Sequence, residues 1–204
     1  MKIDCANIIL FHPGKTGGTS VEHSLCKQYF PNVKLNDILI NRQCNRDLMF
    51  GLDKQYQLFL QHADYRLYDI LNIPIQSYKK LCTVRRPYER ILSCYFYNGK
   101  DKKYSFQEFI TNHLEKHIVN SQRRGYSKGH FGQQYHYYRC ADHIIKLENI
   151  EEDCKAMGID LKFHYSKTKG TKKYNNYLDA YTQKTRDIVY NLYKEDFTEL
   201  GYDK

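Results

Sequence analysis

Apolar positions mark out the elements of the chain first. Ile8-Ile9-Leu10-Phe11 is a continuous apolar run, the pattern of a strand buried on both faces. Pro13, Gly14, Gly17 and Gly18 follow as a turn, and Val21, Leu25 and Tyr29 then recur at helical spacing. Pro31 stops that helix. Residues 30–60 carry no clean period: Ile38-Leu39-Ile40 is an apolar patch in polar surroundings, and 49–52 and 56–60 fit short strands or helix equally. A short helix begins at Ala63 and stops by Pro74, and residues 77–84 predict a second strand. Pro87 then suits the first turn of a helix. Ser105 is the expected N-cap of another, with Glu108 completing a capping box and the helix continuing through Leu114 and Ile118. His143 to Glu148 predicts a third strand, with a helix starting at Asn149. Ile188, Val189, Leu192 and Phe197 keep helical spacing in a terminal helix within residues 174–204. With no internal repeat, low-complexity tract or composition break, one domain is expected over residues 1–204.

Composition narrows the partner. The chain has 204 residues, 41% of them hydrophobic, enough for a sizeable core. Its formal charge of +9 suits an anionic partner: a nucleotide, an acidic polysaccharide or nucleic acid. A merely soluble basic surface is the plainer reading of the same charge. The cysteines, 7 in all, are scattered without a C-x-x-C pair. That argues against zinc and for free thiols in a reducing compartment. No signal peptide is read before the first strand, and no apolar run reaches membrane length, so a cytoplasmic protein without a membrane anchor is expected.

The candidate chemistry sits where strands run into helices. Strand, glycine turn and helix start form an anion cradle: glycines let backbone N–H groups converge, and the helix start adds its positive dipole end. Around Gly17 and Gly18, Lys15 supplies a full charge, and Thr16, Thr19 and Ser20 supply hydroxyls. This is not the ATP-type loop G-x-x-x-x-G-K-[ST], because its first glycine would fall at Ile9. An ordinary glycine-rich turn is the alternative. At the second junction, Arg85 and Ser93 are spaced to approach one anion together, and an arginine fork pairs well with phosphate oxygens. An amphipathic helix with surface arginines is the other reading, plausible for Arg86 and Arg90. His62, just before a helix, is a candidate general base, with Glu22 and His23 as runners-up. Arg123, Arg124, Lys128 and His130 lie in a basic, glycine-punctuated stretch. It reads equally as a solvated linker or as a loop that binds a sulfated or carboxylated sugar.

Two of these stretches resemble a known family. His12-Pro13-Gly14-Lys15-Thr16-Gly17-Gly18-Thr19-Ser20 is similar to the H-x-P-K-T-G-G-T-S loop of the type 2 (carbohydrate) sulfotransferases, which binds the 5′-phosphosulfate of 3′-phosphoadenosine 5′-phosphosulfate (PAPS). Gly14 stands where that family usually has proline. Val84-Arg85-Arg86-Pro87-Tyr88-Glu89-Arg90-Ile91-Leu92-Ser93 resembles its V-R-[ND]-P-[YW]-[DE]-R-[LIV]-[LV]-S segment, which grips the 3′-phosphate, with Arg86 replacing Asn or Asp. The resemblance implies that Arg85 and Ser93 are ligands and that Arg90 is structural. It strengthens His62, which lies in a similar Q/K-H-A segment. It also implies that Ser166, Lys167 and Lys169 belong to a loop closing over the nucleotide, with Tyr165 roughly where Asn is usual. The implied fold is α/β, a P-loop-like three-layer sandwich with a central mostly parallel sheet flanked by helices.

The expected activity is sulfuryl transfer from PAPS to a hydroxyl acceptor, most favourably a glycan, releasing PAP (3′-phosphoadenosine 5′-phosphate). Lys15 would stabilise the leaving charge and His62 would take the acceptor proton, with no metal required. Three rivals remain open from the sequence. One is a nucleoside or nucleotide kinase with an unusual loop; another is a basic nucleic-acid-binding module. The third is a degenerate relative that binds nucleotide without transfer.

Overall fold

The structure, a computed structural model, describes residues 1–122, 130–162 and 173–204. The chain begins with β1 (Lys2–Ile3), β2 (Ile8–Phe11), α1 (Gly18–Tyr29) and α2 (Leu35–Ile40). Next come β3 (Cys44–Asn45), β4 (Phe50–Asp53), β5 (Leu58–Phe59) and α3 (Tyr65–Ile70). β6 (Lys79–Val84), α4 (Pro87–Tyr97), α5 (Phe106–Asn112), α6 (Leu114–Gln122) and α7 (Tyr135–Tyr138) lead to β7 (His143–Lys146). The chain closes with α8 (Ile150–Ala156), α9 (Gln183–Leu192) and α10 (Lys194–Thr198).

The central sheet has the order β1-β2-β6-β7 and is mostly parallel. β2 pairs with β6 and β6 with β7 in parallel, while β1 joins the edge antiparallel. Side chains alternate across a strand, and β2 shows the result. Ile8 and Leu10 pack on one face with Val21 and Leu25 of α1 and Cys154 of α8. Ile9 and Phe11 pack on the other with Leu67 and Tyr68 of α3 and Tyr137 and Tyr138 of α7. Helices therefore cover both faces, and an uninterrupted apolar run is what such a strand needs. A third cluster joins α4, α5, α6, α9 and α10 through Ile91, Tyr95, Phe109, Ile118, Val189 and Phe197.

Register places the site. Phe11, the last residue of β2, pairs with Cys82 of β6, so both strands deliver their next segments to the same sheet edge. Ligands of open parallel sheets bind at that carboxyl edge.

Several expected elements differ in detail. Residues 38–40 end a helix, and the ambiguous stretch that follows folds as a small antiparallel sheet of order β3-β4-β5. Ser105 caps α5 by accepting the Glu108 N–H at 3.2 Å, but the helix breaks at His113 before α6. The terminal helix is divided. A 3-10 turn at Tyr177–Ala180 precedes α9, and Tyr193 separates α9 from α10. The third strand stops at Lys146, and Leu147–Asn149 turn as a 3-10 helix toward the site. No helix among the described residues is long and apolar enough to cross a membrane.

Candidate functional site

The segment 12–17 turns the chain from β2 into α1 by unusual backbone geometry. Lys15 takes the left-handed conformation at φ 69°, and Gly17 does so at φ 80°. Gly17 is an N-cap without a side chain, which leaves the start of the 12-residue helix α1 open. Gly18 serves packing: a Cβ there would lie 2.0 Å from the His12 ring. His12 is thus folded under the helix start, 2% exposed.

Thr16 departs from its expected role as a cradle donor. Its hydroxyl is 2.7 Å from the Pro13 carbonyl and 2.7 Å from the Thr83 hydroxyl, and the residue is fully buried. It ties the loop to β6 and faces away from the cavity. Its one proton goes to the Pro13 carbonyl, so the hydroxyl has none left to donate to an anion.

The second junction is held as firmly. The Arg85 N–H donates to Gln134 Oε1 at 2.8 Å, and Gln134 Nε2 donates back to the Arg85 carbonyl at 2.9 Å. Gln134 is itself fixed by Asp196, which accepts its backbone N–H at 2.9 Å. Arg90 is buried and staples three loop carbonyls: Gly14 at 3.1 Å, His130 at 2.8 Å and Gly132 at 2.7 Å. Its structural role is therefore visible, and it joins the two junctions to one another.

Between the junctions lies a cavity of about 520 Å³. Lys15, Gly17, Thr19, Ser20, His62, Arg85, Ser93 and His130, all expected site residues, line it. Arg85 also reaches the first loop directly, with Nη1 3.4 Å from the Lys15 carbonyl. Lys15 Nζ sits 4.1 Å from the Tyr97 ring centre. Burial holds its ammonium below the usual lysine value; nearby Cys94 opposes that shift and Arg85 adds to it.

Three histidine rings cluster on one side. His12 and His62 are 4.7 Å apart between ring centres, and His62 and His130 are 5.4 Å apart. His62 Nδ1 is 3.0 Å from the His12 carbonyl oxygen, which can only accept. Nδ1 therefore carries the proton, and in the neutral ring Nε2 keeps its lone pair. Burial, then the charge of His12, pushes the His62 pKa down to about 4, so the ring is neutral near pH 7. His130 is driven lower, to about 3, by burial and then by His62 and Lys15.

The runners-up for base do not line this cavity. Glu22 is 1% exposed behind His12, with its Oε2 3.3 Å from His12 Nδ1, near enough for charge attraction but off hydrogen-bond alignment. Burial opposes its charge, yet His12, the terminal ammonium and His62 together hold its carboxyl below the usual range. Enclosed in this way, Glu22 cannot meet an acceptor hydroxyl. His23, 9% exposed, is likewise turned away from the cavity, and burial lowers its pKa. Arg123, Arg124, Lys128, Ser166, Lys167 and Lys169 lie outside the described residues.

Compared with protein-family models, curated proteins and solved structures, the chain finds no match in any of the three. The chemistry of the site therefore rests on its own geometry.

That geometry includes residues the sequence did not single out. Glu89, Tyr97, Leu147, Glu148 and His12 also line the cavity. Glu89, Ser93 and Tyr97 recur every fourth residue, so helix α4 presents them as one stripe, with Arg85 just ahead of the helix start. That spacing was a readable signal. Glu148 had none, because its place depends on the 3-10 turn after β7. There its Oε1 accepts the Arg86 N–H at 2.7 Å, and its Oε2 accepts the Tyr202 hydroxyl at 3.0 Å. Among the described residues no cluster of three or more metal-ligating side chains occurs.

Proposed function

We propose that the chain is a PAPS-dependent sulfotransferase acting on a hydroxyl acceptor, most favourably on a glycan, within a P-loop-like three-layer sandwich. One observation carries the reading. Lys15 from the first strand–helix junction, Arg85 and Ser93 from the second, and the base-ready His62 line a single cavity. The residues suit the donor: an open helix start and a lysine for one anionic end, and an arginine fork with a hydroxyl for the other. Bound there, PAPS would supply the sulfuryl group and PAP would be the leaving product.

The chain's own residues then divide the work. Arg85 and the start of α1 bind and orient negative charge, which converts the transfer into a positioned reaction. Lys15 opposes charge that builds on the leaving oxygen, and its partial burial strengthens that effect. His62 Nε2 accepts the proton of the acceptor hydroxyl. The His12 carbonyl holds the ring in the tautomer that can do so. The +9 formal charge supports an anionic donor and an acidic glycan acceptor alike.

Labelled-sulfate transfer from PAPS to a panel of glycans, phenols and tyrosyl peptides tests the reading. Transfer to a glycan is expected. Turnover with ATP and Mg²⁺ but not with PAPS would favour the kinase reading. Salt-sensitive affinity for DNA or RNA with no nucleotide binding would favour a nucleic-acid module.

A further inference from the structure

The cavity holds more negative charge than an anion site should. Glu89 lines it beside Arg85, and its Oε2 is 3.0 Å from Arg85 Nη2 and 3.4 Å from Arg85 Nε. The guanidinium expected to grip phosphate therefore already holds a carboxylate. The same carboxylate has a second arginine within reach: Glu89 Oε1 is 3.3 Å from Arg86 Nη1. Arg86 is held in place from two further sides. Its backbone N–H is bound by Glu148, and its guanidinium lies 5.7 Å from the Tyr177 ring centre.

We infer that Glu89 occupies the anion seat on Arg85 in the free protein, and that Arg86 takes the carboxylate over when an anion arrives. Arg86 is then a positioning residue that acts through Glu89, and the inference rests on the PAPS reading only for the identity of the anion. A carboxylate and a phosphate on one guanidinium repel across a partly buried site, so one must leave. Leaving would be costly if the carboxylate lost all pairing. Arg86, already 3.3 Å from the other carboxylate oxygen, limits that cost, because Glu89 keeps one ion pair when it gives up Arg85. This gives the arginine at position 86 a purpose that an asparagine or aspartate could not fill, since neither carries the positive charge to receive Glu89. It also makes Arg85 selective: a weakly charged ligand cannot displace the carboxylate, whereas a dianionic phosphate can.

Calorimetry with PAP and, separately, inorganic pyrophosphate tests this at one fixed ionic strength. Glu89→Gln should tighten both ligands about threefold to tenfold, the worth of a modest ion pair. Arg86→Ala should weaken both by about threefold, although it touches neither, and Arg86→Lys should restore most of the loss. In the Glu89→Gln background most of the effect of Arg86→Ala should vanish. Unchanged or weaker binding by a folded Glu89→Gln variant overturns the exchange. If that variant does not fold, full-strength binding by Arg86→Ala overturns it instead. PAP binding equally to wild type and Glu89→Gln sinks the exchange and leaves the nucleotide reading standing. The pattern with pyrophosphate alone sinks the nucleotide reading and supports the exchange. Binding of neither ligand to any variant sinks both.

Discussion

A Cβ atom on Gly14 would lie 2.0 Å from Cδ2 of His130. The glycine that departs from the resembled motif is thus the space in which the His130 ring sits. From there His130 stacks edge-on against His62 and Tyr97, with 4.8 Å between the His130 and Tyr97 ring centres. Loop and histidine are a matched pair: one residue gave up its side chain so that the other could reach the cavity. Gly14→Ala should therefore destabilise the protein by roughly 1–3 kcal/mol through overpacking. The same change should cost much less in a His130→Ala background, because the clash is gone. Thermal unfolding of the four proteins in this cycle checks it, and additive losses would show that the two residues do not compete for the space.

Lys15 joins a charge to a strained backbone, and the two are separable. Its φ of 69° costs a non-glycine residue about 1–2 kcal/mol. Lys15→Gly should relieve that cost and hold or raise the melting temperature, while abolishing sulfuryl transfer. Both variants lose the contact with Tyr97, but Lys15→Ala also keeps the strain, so it should melt lower than Lys15→Gly and be equally inactive. Near-normal transfer by either variant would remove Lys15 from its assigned role.

How much of this was legible depended on whether position was local. The β2 strand, the glycine turn and α1 could be read from residues 8–29 because each signal lies within a few residues of the next. That Lys15 and Arg85 share a cavity needed the parallel register of β2 and β6, which no local pattern carries. The fate of Thr16 was unreadable for the same reason: Thr83, its hydroxyl partner, lies 67 residues away. Glu22 looked accessible on a helix face, but that face packs under His12. The terminal helix divides at Tyr193, whose backbone leaves the helical region while its ring is enclosed and its hydroxyl donates to the Phe131 carbonyl at 2.6 Å, a partner far away in the sequence.

His62 should behave as a neutral base with a defined tautomer. Nitrogen-detected NMR is expected to show a protonated Nδ1 and a bare Nε2 at pH 7, with titration near pH 4. PAP, being anionic, should raise that value by favouring the imidazolium. His62→Ala should lower the transfer rate by about 10²–10⁴ and leave PAP affinity nearly unchanged. A mild rate loss would take the base assignment from His62, whereas titration near the ordinary histidine value would show only that the ring is less buried than the cavity implies. His130, which lines the same cavity beside His62, would be the next residue to substitute.

The same groups set how stability responds to acid. His62 and His130 hold folded pKa values of about 4 and about 3, both below the ordinary 6.5. Between those values and 6.5 the unfolded chain binds more protons, so stability is lost as pH falls through the window. Asp196 pulls the other way. Burial raises its carboxyl from 3.8 to about 6, against the lowering effect of Arg90 and the N–H groups it accepts. Between 3.8 and 6 the folded chain therefore binds more protons there, and its contribution grows as pH falls. Each group is worth at most about 1.4 kcal/mol per pH unit, so the two histidines outweigh the single aspartate. The melting temperature should fall steadily from pH 6.5 to pH 4. His62→Gln should flatten that slope. Asp196→Asn should steepen it while lowering the melting temperature throughout, since an amide cannot accept from both Gln134 and Tyr135 as the carboxylate does. A melting temperature that stays level across this range would mean that neither ring is buried as the cavity requires.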